Sequence, residues 1–545
     1  MRKSRNANFL DSKTILAMVI VFGIFIAWQS YMRQKYPDAF APKKAETTDA
    51  ATEPTKGEAT AKLENQKSET VGSPSTPPEA SAKTHDLPPE KRLNYDSDLL
   101  AFQISSHGMG LRQIQIKKFT DRENNVIEIG HPEPNLLPLE TRLLGRAEVL
   151  NFDVQKLGDN HFVGHAKVGG VEITKTLEIE PDKYLLRFKV TATGNDPAFI
   201  GLTTAMTDKV LPAGEHSFLM PQFEKQEFYL DSPDMHEREV FAPDKDVQHS
   251  WSRARVVALG SQYFTQALVD SSPVMPDVKG RVVHEQKLAD LMLQYTVLNR
   301  GEPFQLEYKA FLGPKSYALL SQIDPQLARV VDFGFFEWIG KHILLMLKWF
   351  YALVGNWGLA VILLTLVVRL LVLPINVYSY KSMKAMQAIQ PQLKALKEKY
   401  ADDQQKQQQE TMALMRENKV NPLGGCLPVF LQFPIFIALY QVLGNSIELY
   451  QAPFGLWIHD LSLKDPFYVL PVLMGATMFV QQKITPTTMD PAQAKVMLMM
   501  PLIFTFFMVS LPSGLTLYMW VGALFSILQQ MYFMRDKKPL STNGV

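Results

Sequence analysis

Residues 355–374 read GNWGLAVILLTLVVRLLVLP, and between Leu359 and Leu373 only Thr365 and Arg369 interrupt an apolar run. Such a stretch, closed by Pro374, predicts a membrane-spanning helix, assigned with its lead-in to residues 349–375. Before it, Phe333, Phe335, Phe336, Trp338, Trp349, Phe350 and Tyr351 alternate with Glu337, Lys341, His342 and Lys348. That mixture predicts an amphipathic helix lying in the outer interface, over residues 331–348. Arg369 is the one ionised side chain away from the ends of the C-terminal spans. An arginine at a span centre costs about 2.5–3.5 kcal/mol on insertion scales, so it must face the bundle interior or water. Two readings stay open: Arg369 lines a hydrophilic groove, or it snorkels to the inner headgroups past Leu373, about 6 Å along the helix.

Working outward, residues 376–422 are lysine-rich and helical in period. Met383, Met386, Leu393, Leu396 and Tyr400 recur at three- and four-residue steps, Asp402-Asp403 marks a turn, and Met412 and Met415 line a second helix. Pro391 is expected to kink or restart the first helix. The two make an antiparallel hairpin whose methionines are either its seam or a plastic surface for apolar clients. Four further apolar stretches, 423–443, 466–482, 496–511 and 514–534, complete a five-helix core within residues 423–534 and the span before them. Several are shorter than the ~20 residues a bilayer core asks for, so local thinning is expected.

At the other end, residues 14–28 are apolar and follow Arg2, Lys3, Arg5 and Lys13. This reads as an uncleaved anchor, residues 1–32, with its N-terminus inside; a cleaved signal peptide is the alternative. Residues 33–93 are rich in Ala, Glu, Lys, Thr, Ser and Pro and are expected to be a disordered periplasmic tether. Residues 94–330 read as one all-β sandwich. Leu186, Phe188 and Val190 alternate with Arg187, Lys189 and Thr191, a turn at 180–183 joins them to 174–179, and 253–259, 291–298 and 304–311 are further strands. Lysines crowd residues 376–422 and the tail, 535–545, whereas 446–465 holds only Lys464. The positive-inside rule then puts hairpin and both termini in the cytoplasm and the β domain outside, with six spans. The chain is thus expected to be a polytopic α-helical protein of the bacterial inner membrane carrying an all-β periplasmic domain.

The whole-chain averages conceal this division. With 545 residues, 46% apolar, 56 basic and 55 acidic side chains, the net charge is +1, and the mean hydropathy is only -0.06. These values exclude a polycation built for nucleic acid, and the single cysteine, Cys426, excludes an intrachain disulfide. No G-x-S-x-G, Walker or H-E-x-x-H motif is present. His161 and His165 lie four apart on an extended segment, about 13 Å, too far for one metal. The expectation is therefore of no enzyme activity, cofactor, metal or small-molecule substrate.

Around Arg369, Thr365 sits one turn away on the same helix face, and Gln432, Thr505, Ser510 and Tyr518 give polar groups to neighbouring spans. No intramembrane carboxylate is available to pair with the arginine, as a proton relay would require. A solute transporter would show inverted repeats, which the spans lack; an envelope-assembly or carbohydrate-binding module would place function in the β domain.

The motifs Gly355-Asn356-Trp357-Gly358, Asn421-Pro422-Leu423-Gly424-Gly425-Cys426-Leu427-Pro428, Gln432-Phe433-Pro434, Trp457-Ile458-His459-Asp460-Leu461 and Leu511-Pro512-Ser513-Gly514-Leu515 closely resemble the YidC/Oxa family of membrane protein insertases. The resemblance implies a five-span core with a hydrophilic groove open to the cytoplasm and inner leaflet, its arginine matching Arg369. It also implies a cytoplasmic hairpin that meets clients first and a periplasmic β-supersandwich. The partners implied are nascent membrane proteins, the Sec translocon with its accessory subunits, and membrane lipids. The tail after Met534 is short and mildly basic, so ribosome contact is expected to be weak or indirect.

Overall fold

The computed structural model describes residues 89–131, 136–146, 148–211, 225–233, 235–241, 246–297, 302–401, 403–418, 420–425, 427–485 and 491–534. All belong to the unit Ser81–Val545. The anchor, nearly all of the tether, Cys426 and the tail lie outside the described residues.

Residues 92–314 build three antiparallel sheets. One runs β1 (Arg92–Asp96), β2 (Leu100–Ser105), β3 (Leu111–Thr120), β4 (Val126–Ile129). The second runs β13 (Val247–Trp251), β16 (Asp277–Val283), β17 (Leu288–Thr296), β10 (Gly201–Lys209), β5 (Thr141–Leu143). The largest, nine strands, runs β12 (His236–Val240), β11 (Glu227–Asp231), β14 (Val256–Gly260), β15 (Phe264–Asp270), β18 (Phe304–Pro314), β9 (Leu185–Gly194), β8 (Val171–Glu180), β7 (His161–Val168), β6 (Asp153–Gly158). Their apolar faces share one buried core.

The alternation read from the sequence is what makes this packing possible. Leu186, Phe188 and Val190 of β9 are buried while Arg187 and Lys189 are exposed, and Phe188 pairs with Tyr308 across the strand boundary with rings stacked at 5.1 Å. The 180–183 turn closes the β8–β9 hairpin through Lys183 N–H to the Glu180 carbonyl, 3.2 Å. Strand β17 starts at Leu288, ahead of the expected 291, because Leu288 and Ala289 pair with the end of β10. His161 and His165 stay on an exposed strand face, the latter 3.1 Å from the Thr174 hydroxyl.

Beyond the sheets come α1 (Tyr317–Ile323), a 3-10 turn over Leu327–Val330, and then α2 (Glu337–Val354), α3 (Trp357–Lys399), α4 (Gln404–Glu417), α5 (Leu427–Asn445), α6 (Val469–Ile484), α7 (Pro491–Met508) and α8 (Ser513–Met534). Three boundaries differ from the sequence expectation. The division at 348/349 falls inside α2, which runs on to Val354 and exposes Trp338, Leu345 and Trp349 while burying Ile343, Leu344 and Leu347. Pro374 does not end the span, and Pro391 does not restart the hairpin. Both lie inside α3, a single helix of 43 residues, about 65 Å long. Each proline removes one N–H donor, but side chains buried around it hold the adjoining turns: Val372 and Asn376 around Pro374, Met386 and Ile389 before Pro391. The span bearing Arg369 and the first arm of the hairpin are therefore one rod.

The β domain docks on the segment after α5. Tyr450 hydroxyl and Gln451 amide both donate to the Thr120 carbonyl at 3.1 Å. Gln262 donates to the Gly444 carbonyl at 2.5 Å, and Lys348 pairs with Glu448 at 2.6 Å.

Candidate functional site: the Arg369 recess

The helix that carries Arg369 is set in place by the 355–358 motif. Gly355 ends α2 at φ +66, a left-handed cap that glycine adopts without strain. Asn356 then starts α3, its side chain accepting from Leu359 N–H at 3.0 Å while its amide donates to the Phe454 carbonyl at 3.0 Å. Trp357 stacks on Tyr351, centroids 4.2 Å apart. At Gly358 the Phe454 ring occupies the space a side chain would need. Helix start and adjoining loop are thereby locked together, and Arg369 follows twelve residues on, about 18 Å down the helix axis.

Arg369 lies against Gly522 of α8, where an added Cβ would stand 2.5 Å from its Nη2 and 3.0 Å from its Nε. One turn earlier on α8 is Tyr518, fully buried, whose hydroxyl accepts from the Gln432 amide of α5 at 2.5 Å. The titratable groups acting electrostatically on the guanidinium are the phenols of Tyr518 and Tyr380, not a carboxylate. Arg369 Nε is buried and has no hydrogen-bond partner among the described residues. Arg369, Gln432 and Tyr518, anticipated from three separate stretches, are thus brought together from α3, α5 and α8.

The other anticipated groove residues are placed differently. Thr365 is buried, but its hydroxyl returns to the Val361 carbonyl at 2.7 Å within its own helix. Thr505 likewise bonds the Pro501 carbonyl at 2.8 Å, and it packs where Gly475 of α6 leaves room. Ser510 is buried just past the end of α7. No hydrogen bond among the described residues links these three hydroxyls to the guanidinium.

A polar ladder missed in the sequence continues from Arg369 toward the hairpin. Asn376 donates to Gln529 at 3.2 Å, Ser379 to the Gly425 carbonyl at 3.1 Å, Gln530 to Thr485 at 3.0 Å, and Lys384 to the Phe533 carbonyl at 2.8 Å. The adjacent amides Gln529-Gln530 were its legible signal, read as the interfacial end of a span. In the hairpin the methionines divide. Met386 joins Ile389 and Val420 in a buried seam with Met415 packed against it, Met383 lies under Gly425, and Met412 is 58% exposed.

A polar, cation-bearing recess walled by long apolar helices, beneath a docked β-sandwich, defines an inner-membrane protein of the kind that handles other proteins' polar segments. Residues 349–540 match the family described as 60Kd inner membrane protein, and residues 92–346 match the YidC periplasmic domain. The membrane protein insertase YidC of Nitrosococcus oceani is 33% identical over 96% of this chain and 98% of its own. That of Pseudomonas fluorescens is 52% identical over 41% of this chain and 40% of its own. A crystal structure of an active YidC insertase with its first transmembrane domain resolved is 18% identical, covers 83% of this chain and 94% of that one, and has a TM-score of 0.37. The chain belongs to the YidC family of membrane protein insertases.

Proposed function

We propose that this protein inserts and helps fold integral membrane proteins, with the Arg369 recess as the point where a client's polar flank crosses. The observation that carries the reading is the buried Nε of Arg369, a donor on a cation with neither hydrogen-bond partner nor carboxylate among the described residues. A client carboxylate or backbone carbonyl supplies the missing acceptor, offsetting part of its own desolvation. The client's apolar segment lies against the exposed faces of α5 and α7, where Val429, Phe433, Leu502 and Phe506 stand out. An acidic flank gains about 2.3 kcal/mol per charge per 100 mV as it moves outward.

The six-span topology, with both termini and the hairpin cytoplasmic, belongs to the same proposal. Helices α3 and α5 are long and apolar enough to cross a membrane, and α6 is shorter, 16 residues, about 24 Å. A recess bounded by short helices thins the bilayer beside it. The hairpin meets clients first through Met412 and Met383, the Sec translocon and its accessory subunits are partners by family resemblance, and ribosome contact is weak.

The test is replacement of Arg369 by Ala and by Lys, scoring insertion of a small client in cells depleted of the native protein. Loss with Ala and partial rescue with Lys are expected. Full activity of Arg369→Ala removes the electrostatic part of the mechanism.

A further inference from the structure

We propose that Glu237, Glu239 and His249 form a binding site for a zinc-class divalent cation that staples two sheet edges of the β domain. One ligand atom from each lies within 4.8 Å of the others. The residues come from β12, the edge of the nine-stranded sheet, and β13, the edge of the five-stranded sheet. Glu237 and Glu239 are two apart on a strand and so point to the same face, and His249 reaches across from the second sheet, its Nε2 3.7 Å from Glu239 Oε1. Zinc bonds of 2.0–2.1 Å in a tetrahedron give ligand separations of about 3.4 Å. The observed spacing closes onto an ion by small side-chain rotations.

Two features separate this set from a chance meeting of surface groups. Neither carboxylate has a lysine or arginine partner among the described residues, and His249 at 3.7 Å is the ion-pair contact of Glu239. Two neighbouring negative charges are thus left for a cation to neutralise. A buried tryptophan also orients both kinds of ligand. Trp251 donates its indole N–H to Glu237 Oε2 at 2.7 Å, leaving the other oxygen free, and stacks on the His249 ring at 5.4 Å and 24°. Trp251 is itself held by Phe228, 6.1 Å away edge-on, and by Gly280, whose missing side chain makes its room. Fixing ligand orientation from behind is what outer partners do at metal sites. One imidazole with two carboxylates favours zinc or a similar transition ion over calcium or magnesium, which prefer all-oxygen sets. Three protein ligands leave a coordination position for water.

The expectation of no metal rested on local spacing. These ligands converge from two sheets, where spacing along the chain carries no signal.

The experiment uses tag-free full-length protein in detergent, stripped with chelator and dialysed against zinc ion. One equivalent of zinc bound by the wild type, and at least tenfold weaker binding by both His249→Ala and Glu239→Gln, is expected; the second variant preserves shape. No binding by the wild type, or wild-type affinity in either variant, overturns the proposal. X-ray absorption of the zinc-loaded wild type decides independently of any folding defect. One imidazole with oxygen ligands at about 2.0–2.1 Å is expected, and a sulfur shell or several imidazoles overturns it.

Discussion

A Cβ added to Gly522 would stand 2.5 Å from Nη2 of Arg369, so the guanidinium rests directly on the backbone of α8. The atom in the way is the free end of a long side chain, which can move where a helix backbone cannot. Gly522→Leu is therefore expected to leave the fold standing and displace Arg369 from Tyr518. Insertion of a small client should fall about as far as in Arg369→Ala, with a melting temperature within a few degrees of wild type. Undiminished insertion by a folded Gly522→Leu protein would show that the position of the cation is immaterial.

In the β domain, burial pushes the Asp270 carboxyl up to about 6 from its model value of 3.8. The Tyr295 hydroxyl donates to it at 3.1 Å and Ser272 at 2.8 Å. The folded state consequently holds a proton that the unfolded chain has released, between those two values. The stabilisation is full below about 3.8 and disappears as pH rises through about 6. Asp270→Asn imitates the protonated form and keeps an acceptor for Tyr295. Melting curves of the two proteins should coincide near pH 4 and separate by pH 7, with the variant the more stable. A difference independent of pH refutes the assignment.

Met386 and Met412 belong to the same periodic pattern but face opposite environments, one 9% and the other 58% exposed. Met386→Ala opens a cavity in the small seam with Ile389 and Val420 and is expected to cost about 2 kcal/mol or more locally. Faster hydrogen exchange in α4 and the adjoining part of α3 would report it. Met412→Ser should leave exchange unchanged and reduce crosslinking of the hairpin to a stalled nascent chain. Equal crosslinking would take Met412 out of the client surface.

How much of this was legible follows the physics of each signal. Period-two alternation in residues 186–191 marked β9 because one strand face is solvated and the other buried. Arg369 was legible because a charge in an apolar run is costly wherever it points. Its surroundings were not: Gly522 matters through the side chain it lacks, and Asn376 and Gln529 matter only once α3 and α8 lie side by side. Thr365 and Thr505 were overread. A threonine in an apolar helix satisfies its hydroxyl on the carbonyl four residues back, as both do here. The prolines of α3 misled for a related reason, since packing on both sides outweighs one lost backbone hydrogen bond.

The Trp457-to-Leu461 motif carries no groove residue, and its neighbour Asp465 shows what the outer loop contributes. Asp465 is buried and accepts from Trp457 Nε1 at 3.0 Å, Phe467 N–H at 3.0 Å and Leu470 N–H at 2.7 Å, fixing the start of α6. Asp465→Ala leaves those three donors without that partner, at about 1–3 kcal/mol for each that stays buried and unsatisfied. Asp465→Asn keeps one good acceptor and turns an NH₂ toward a donor, so it should be destabilised too, while Trp457→Phe loses a single bond and should cost about 1 kcal/mol. Melting temperature in detergent is expected to fall in the order Trp457→Phe, Asp465→Asn, Asp465→Ala. Insertion per folded molecule should stay at the wild-type level in Trp457→Phe. A well-folded Trp457→Phe that inserts clients poorly would move this loop from scaffold to client contact.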